Sequence, residues 1–406
     1  MSDLAITGGT PVRSRPFPAW PEVDDRDLEA VAEVIRSRQW SGQPYPGPKA
    51  AELGWKMAEM QMAGYGLALA NGTVTVEVAL RAAHIGWGAE VIVPAYTDPA
   101  VASAVVMAGA LPVLADIDLR HYCIDPAAVE AAITPDTRAL VVSHMGAQMA
   151  DMDAIVALCT RHQLTLIEDC THATGGRWLS RGAGSFGQFG CFSLGQKSPL
   201  PAAEGGVLLC WQPEMLAAVT SIADGGQPQD AEKLNWTFGG NYRMSEVHAA
   251  LGLTALLRFP EQLLRREAMV SQLERALADL PGVTLPLHDE RHTTRSFYRY
   301  IFTIQSETFG APLARICAAL QAEGIPCSAG PEPLHRHPRF QPRLSHLPAA
   351  ALLAERFDYS KAAFPAAEKV AREALWLDER VFRSGPKGIQ DVVNAVHKVQ
   401  EHASEL

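Results

Sequence analysis

Thr165-Leu166-Ile167-Glu168-Asp169 is an apolar run that ends in two acids, and its pattern decides the fold. The run does not alternate between apolar and polar residues. It therefore reads as a strand buried on both faces, not as one side of an exposed sheet. Three runs of the same kind precede it: Val91-Ile92-Val93, Leu111-Pro112-Val113-Leu114-Ala115-Asp116 and Ala139-Leu140-Val141-Val142. Helical stretches lie between them, among them Pro126 to Ile133 and Met152 to Cys159. Apolar strands alternating with helices predict an α/β protein whose mainly parallel sheet is covered on both faces.

Before these strands, Pro11, Pro16, Pro18 and Pro21 exclude a long helix, so the chain starts as an arm. A short helix follows, with Asp24 or Asp25 as N-cap and Leu28, Val31, Val34 and Ile35 at helical spacing. Ala68-Leu69-Ala70 leads through Asn71-Gly72-Thr73 into a helical run ending near Leu80. After the strands, Met244 to Arg275 reads as a long bridging helix. Beyond Gly282 the texture is α+β: Phe297 to Ile304 alternates like a strand and Ala311 to Ala322 like a helix. Two domains are expected, an arm with a large domain over 1–265 and a small C-terminal domain over 266–406.

The 406 residues include 35 basic and 45 acidic side chains with no basic run, which argues against nucleic acid as a partner. The cysteines, seven in all, are scattered without CxxC spacing, so buried thiols are expected in place of disulfides or a metal site. Met1-Ser2-Asp3-Leu4 lacks the order of a signal peptide, and no apolar run is long enough to span a bilayer. A cytoplasmic enzyme is expected, with no membrane partner.

In an open α/β sheet, ligands sit beyond the carboxyl ends of the strands. Asn71-Gly72-Thr73 turns a strand into a helix there, which suits a phosphate, although a junction of this kind taken alone is more often plain capping. Asp169 ends its strand, where a carboxylate is costly unless paired; a protonated pyridine nitrogen or a helix N-terminus would pair it. His172 is either a pocket residue or a packed surface histidine. Further on, Phe192-Ser193-Leu194-Gly195-Gln196-Lys197-Ser198-Pro199-Leu200-Pro201-Ala202-Ala203-Glu204-Gly205-Gly206 places a lysine among small residues and turn formers. Lys197 is either a solvated charge or the amine that condenses with a pyridoxal cofactor, and Ser193 offers a phosphate ligand.

Taken in order, these segments resemble the sugar aminotransferase family called DegT/DnrJ/EryC1/StrS, of the aspartate-aminotransferase-like fold. The resemblance runs from Gly8-Gly9-Thr10-Pro11-Val12-Arg13 and Arg15-Pro16-Phe17-Pro18-Ala19-Trp20-Pro21 through Val93-Pro94-Ala95-Tyr96-Thr97, Ala150-Asp151-Met152-Asp153 and Gly240-Asn241-Tyr242-Arg243-Met244 to Pro333-Leu334-His335-Arg336. The arm and this last segment look most like the branch acting on cyclitols and on the precursor of aminohydroxybenzoate. The resemblance implies a type I pyridoxal-phosphate-dependent transferase fold with a mainly parallel, seven-stranded-type sheet. It implies pyridoxal 5'-phosphate or pyridoxamine 5'-phosphate as cofactor and a keto-sugar or keto-cyclitol as substrate in sugar or antibiotic biosynthesis. Glutamate or glutamine would be the amino donor, and the active unit a homodimer. It also implies roles: Gly72, Thr73 and Ser193 on the cofactor phosphate, Asp169 on the ring nitrogen, Gln148 and His172 lining the pocket, and Asn241 reaching the phosphate of a second subunit. Lys197 and His172 are the candidate catalytic residues.

Three positions depart from the family's pattern. Ser198 stands where the family places its lysine, one residue after Lys197, with Pro199 and Pro201 nearby. Asp98 replaces the usual aromatic over the cofactor ring, and Gly146-Ala147 replaces an aromatic followed by glycine. Two alternatives therefore accompany transamination: elimination chemistry without the usual lysine, and a cofactor-free homologue.

Overall fold

In a computed structural model, the structure describes residues 3–41, 43–228, 237–340, 346, 351, 354–356, 359 and 362–406. Helix α1 (Asp25–Ser37) starts at Asp24, whose side chain forms a reciprocal capping box with Asp27. Then come α2 (Pro48–Gln61), β1 (Tyr65–Leu69), α3 (Gly72–Ala82), β2 (Glu90–Pro94), α4 (Pro99–Met107), β3 (Leu111–Ala115), α5 (Pro126–Ala132), β4 (Thr137–Ser143), α6 (Met152–His162) and β5 (Thr165–Asp169). The short strands β6 (Arg177–Trp178) and β7 (Arg181–Gly182) precede β8 (Phe189–Ser193), β9 (Gly206–Cys210), α7 (Pro213–Ala223) and the long α8 (Glu246–Leu277). The C-terminal part carries β10 (Val283–Thr284), β11 (His292–Thr294), β12 (Arg299–Ile304), β13 (Cys327–Ala329) and β14 (Ala374–Asp378), with helices at Leu313–Ala322, Pro365–Glu373 and Gly385–Glu401.

The main sheet has seven strands in the order β1-β9-β8-β5-β4-β2-β3. The pairs from β3 to β8 are parallel; β9 runs antiparallel to both β8 and β1. β2, β3 and β9 are buried at every position, which is why their sequences do not alternate. A four-stranded antiparallel sheet, β10-β12-β14-β13, forms the second layer system. The buried apolar residues form two clusters, one around the main sheet and one around the second; α8 gives Phe259 to the first and Val270, Leu273 and Leu277 to the second.

Carboxylates join distant elements by capping helices. Glu246, at the start of α8, accepts from the Lys49 and Ala50 amides at the start of α2, which lacks a side-chain cap of its own. Asp116, just past β3, accepts from the Ala366 and Ala367 amides of helix Pro365–Glu373. Glu323 fastens the arm by accepting from the Ala5 and Val12 amides and from Lys398. Among the described residues, no helix is long and apolar enough to cross a membrane.

Candidate active site

The carboxyl ends of β2, β4, β5 and β8 meet the N-terminus of α3 at one rim, where a cavity of about 780 Å³ opens. At the rim, Asn71 caps α3 by accepting from the Val74 amide at 3.0 Å. Gly72 and Thr73 form the first turn and line the cavity. A β-carbon on Gly72 would lie 2.6 Å from the Ser193 β-carbon, so only glycine lets the helix end stand against β8. Backbone amides without helical acceptors, the positive end of the helix and the Thr73 and Ser193 hydroxyls thus converge, a constellation suited to phosphate.

Asp169 lies at the end of β5, with its carboxylate facing the same cavity. It accepts from the Thr171 hydroxyl at 2.8 Å and the Thr171 amide at 3.2 Å. Burial raises its proton affinity above the usual carboxylate range, and the Thr171 bonds only partly offset this. Such a carboxylate is stabilised by a cation, and a protonated pyridine nitrogen supplies one.

The facing wall comes from the second sheet. His172 stands edge-on to Tyr298 (4.8 Å between centroids) and to Trp376 (5.7 Å), and the Trp376 indole donates to the Tyr96 hydroxyl at 3.2 Å. His172 Nδ1 accepts from the Gly146 amide at 3.3 Å, which leaves the ring proton on Nε2. Burial, aided by the charge of Arg299, pushes the His172 pKa down to about 3, so the imidazole is neutral at ordinary pH. Gly146 and Ala147 both adopt left-handed backbone, at φ 59° and 65°. A β-carbon on Gly146 would lie 2.5 Å from Ile301 Cδ1, so Ile301 of β12 fills the space that an aromatic side chain would need.

Asp98 lines the cavity but also caps α4, accepting from the Ala100 amide at 2.9 Å. His144, Glu168 and Cys170 place candidate metal ligands within 4.8 Å of one another. Each is already engaged, however. Glu168 accepts from the Gly184, Phe186 and Gly187 amides, and His144 bridges from the Ala150 amide to Glu168. The Cys170 thiol lies 3.7 Å from the Glu168 carbonyl, so the cluster has the character of a buried brace at the cavity wall, which His144 also lines.

Gly72, Thr73, Asp98, Asp169, His172 and Ser193 are thus brought together, and three other expected residues are not. Gln148 is buried, its backbone paired with Met145 and its side-chain nitrogen without a partner among the described residues. Asn241 is exposed near Asp224, with which it forms a backbone bridge. Lys197 is exposed and does not line the cavity. It occupies the corner of a turn closed by the Ser198 amide on the Gly195 carbonyl at 2.8 Å, and the corner of a turn points outward. Ser198, in contrast, is 4% exposed and its hydroxyl donates to the Leu200 carbonyl at 2.9 Å.

For a pyridoxal-type cofactor, the residues present fit the phosphate and ring-nitrogen ends. They do not fit a covalent link, because no lysine lines the cavity among the described residues. Tyr298, Arg299 and Trp376 also line it and have no local mark in the sequence, since they are brought there by the second sheet, and Arg339 joins them from a loop.

The sequence profile of the DegT/DnrJ/EryC1/StrS aminotransferase family matches residues 21–396. The chain belongs to this family. It is 36% identical, over 99% of its length and 98% of the relative's, to a Micromonospora echinospora protein provisionally named L-glutamine:3-amino-2,3-dideoxy-scyllo-inosose aminotransferase. It is 34% identical to the L-glutamine:scyllo-inosose aminotransferase of Streptomyces griseus, over 100% of this chain and 99% of that one. The fold matches the crystal structure of 3-amino-5-hydroxybenzoic acid synthase with a TM-score of 0.84 and 26% identity, covering 97% of this chain and 100% of that one. It matches DesV of S. venezuelae, solved with a ketimine intermediate, with a TM-score of 0.82 and 27% identity over 95% and 99% of the two chains. As a member of this family the chain is an aminotransferase homologue with a type I transferase fold.

Proposed function

We propose that this protein transfers an amino group to the ketone of a cyclitol, with L-glutamine as donor and a pyridoxal-type cofactor in the strand-end cavity. The carrying observation is the convergence of the α3 N-terminus, Ser193 and the half-buried Asp169 on one cavity. The names of the full-length relatives supply the substrate class and donor. When bound, the cofactor supplies an electron sink for the carbon bearing the amine. The first turn of α3, Thr73 and Ser193 hold its phosphate, and Asp169 keeps the ring nitrogen protonated. His172 offers its neutral Nε2–H to a ligand oxygen. Arg299 and Arg339, on the opposite wall, suit the donor's carboxylate.

A homodimer is part of this reading. Asn241 is exposed, and Leu28 of α1 and Leu257 and Leu264 of α8 present apolar surface to solvent, as a face covered by a second copy would. The buried, unpaired cysteines suit the reducing cytoplasm. The exposure of Lys197 favours a second reading, in which the same site removes water from the cyclitol. Incubation with cofactor, L-glutamine and scyllo-inosose decides between them by product mass. A cyclitol amine supports transfer, loss of water supports elimination, and unchanged ketone with cofactor bound refutes both.

A further inference from the structure

The cavity offers a pyridoxal-type ligand two anchors and no amine. An imine needs a primary amine, which among side chains only lysine supplies; the guanidinium groups of Arg299 and Arg339 do not substitute for it. Lys197 lies one residue before Ser198, the buried position at which the family's pattern has its lysine, and the turn that carries both is fastened on both sides. The Ser198 amide closes it on Gly195, the Ser198 hydroxyl holds Leu200, and Pro199, Leu200 and Pro201 are all buried. Swinging Lys197 inward would unmake that packing. The walls do carry acid: Asp98 and Glu204 both line the cavity. Carboxylates match the ammonium of an amine-bearing ligand and offer nothing to an aldehyde.

We propose that the protein holds its cofactor without a covalent bond, as the amine form, pyridoxamine phosphate, with the buried Ser198 standing at the position where the family's pattern has its lysine. This rests on the reading that the cavity takes a pyridoxal-type cofactor. In this state the amine enters with the cofactor and no lysine of the chain has to be displaced.

The test compares pyridoxamine phosphate and pyridoxal phosphate on the full chain by calorimetry, then treats the pyridoxal-loaded protein with borohydride and maps adducts by mass spectrometry. Borohydride adds hydride to an imine carbon and so fixes any link that a lysine has made by condensation with loss of water. The expected results are binding of pyridoxamine phosphate about tenfold tighter than pyridoxal phosphate, no fixed adduct on any lysine, and unchanged affinity in Lys197→Ala. Ser198→Lys is expected to gain one adduct, at residue 198. If that variant does not fold, the wild-type map and Lys197→Ala still decide. A fixed adduct on Lys197 or another wild-type lysine overturns the proposal and leaves the aminotransferase reading standing. Binding of neither cofactor overturns both.

Discussion

Gly72 and Ser193 hold the start of α3 and the end of β8 at the closest approach that backbone allows, since a β-carbon on Gly72 would lie 2.6 Å from that of Ser193. Gly72→Ala must push the two apart. Overpacking of this kind costs about 1–3 kcal/mol, visible as a lower melting temperature. The same shift spreads the phosphate ligands, so pyridoxamine phosphate affinity should fall about tenfold, equivalent to about 1.4 kcal/mol. Calorimetry and thermal melts of the same preparation check both.

Asp98 lines the cavity at the position where the family's pattern has an aromatic, and it also caps α4 through the Ala100 amide. Asp98→Tyr exchanges one contribution for the other. Stacking is worth about 0.5–1.5 kcal/mol and serves both cofactor forms, whereas the lost carboxylate serves only the amine, so pyridoxal phosphate should bind up to about tenfold tighter and the preference for pyridoxamine phosphate should narrow. Loss of the cap costs about 1 kcal/mol, so the ligand-free variant should melt at lower temperature.

Asp169 binds its proton more tightly in the folded chain than in the unfolded one, because burial raises its range. For an acid shifted upward, the stabilisation is fully present below the unfolded value and is lost as pH rises through the folded one. Asp169→Asn removes that loss. The ligand-free variant should melt higher than the wild type at neutral pH, and its affinity for pyridoxamine phosphate should fall. Opposite signs in the two measurements mark Asp169 as a ligand-binding residue and not a packing one.

Asp27 links α1 to α8 through two bonds from Arg258, at 2.9 and 2.8 Å. Burial raises the Asp27 range, but the Arg258 and Thr254 hydrogen bonds outweigh it and leave it lowered. An acid shifted downward stabilises above its unfolded value, so this contribution is lost as pH falls below about 4. Arg258→Met strands a buried charge and should cost about 3–5 kcal/mol, whereas the double variant with Asp27→Leu should recover most of it. Denaturant unfolding at neutral and acid pH checks both.

The parallel strands were legible because each is apolar along its whole length, and the turn at the cavity rim because Asn71, Gly72 and Thr73 mark a strand-to-helix junction. Asp169 was legible for the same reason, as an acid ending a buried run. The cavity's other wall was not. Tyr298, Arg299 and Trp376 arrive from β12, β14 and the segment before β12, and nothing near them in sequence signals that the second sheet faces the first. Lys197 shows a different limit. Its neighbours predict a turn, but which residue of a turn faces inward depends on the Ser198 and Leu200 contacts that close it.

The central claim is that Asp169 binds the ring nitrogen of a pyridoxal-type cofactor at this strand end. The nitrogen NMR shift of ring-labelled pyridoxamine phosphate on the protein tests it most directly. The account predicts a protonated ring nitrogen from about pH 6 to about pH 9, because a carboxylate partner favours the charged form, and loss of that state in Asp169→Asn. A bound ring nitrogen that titrates as it does in free solution, and does so equally in the variant, would contradict it.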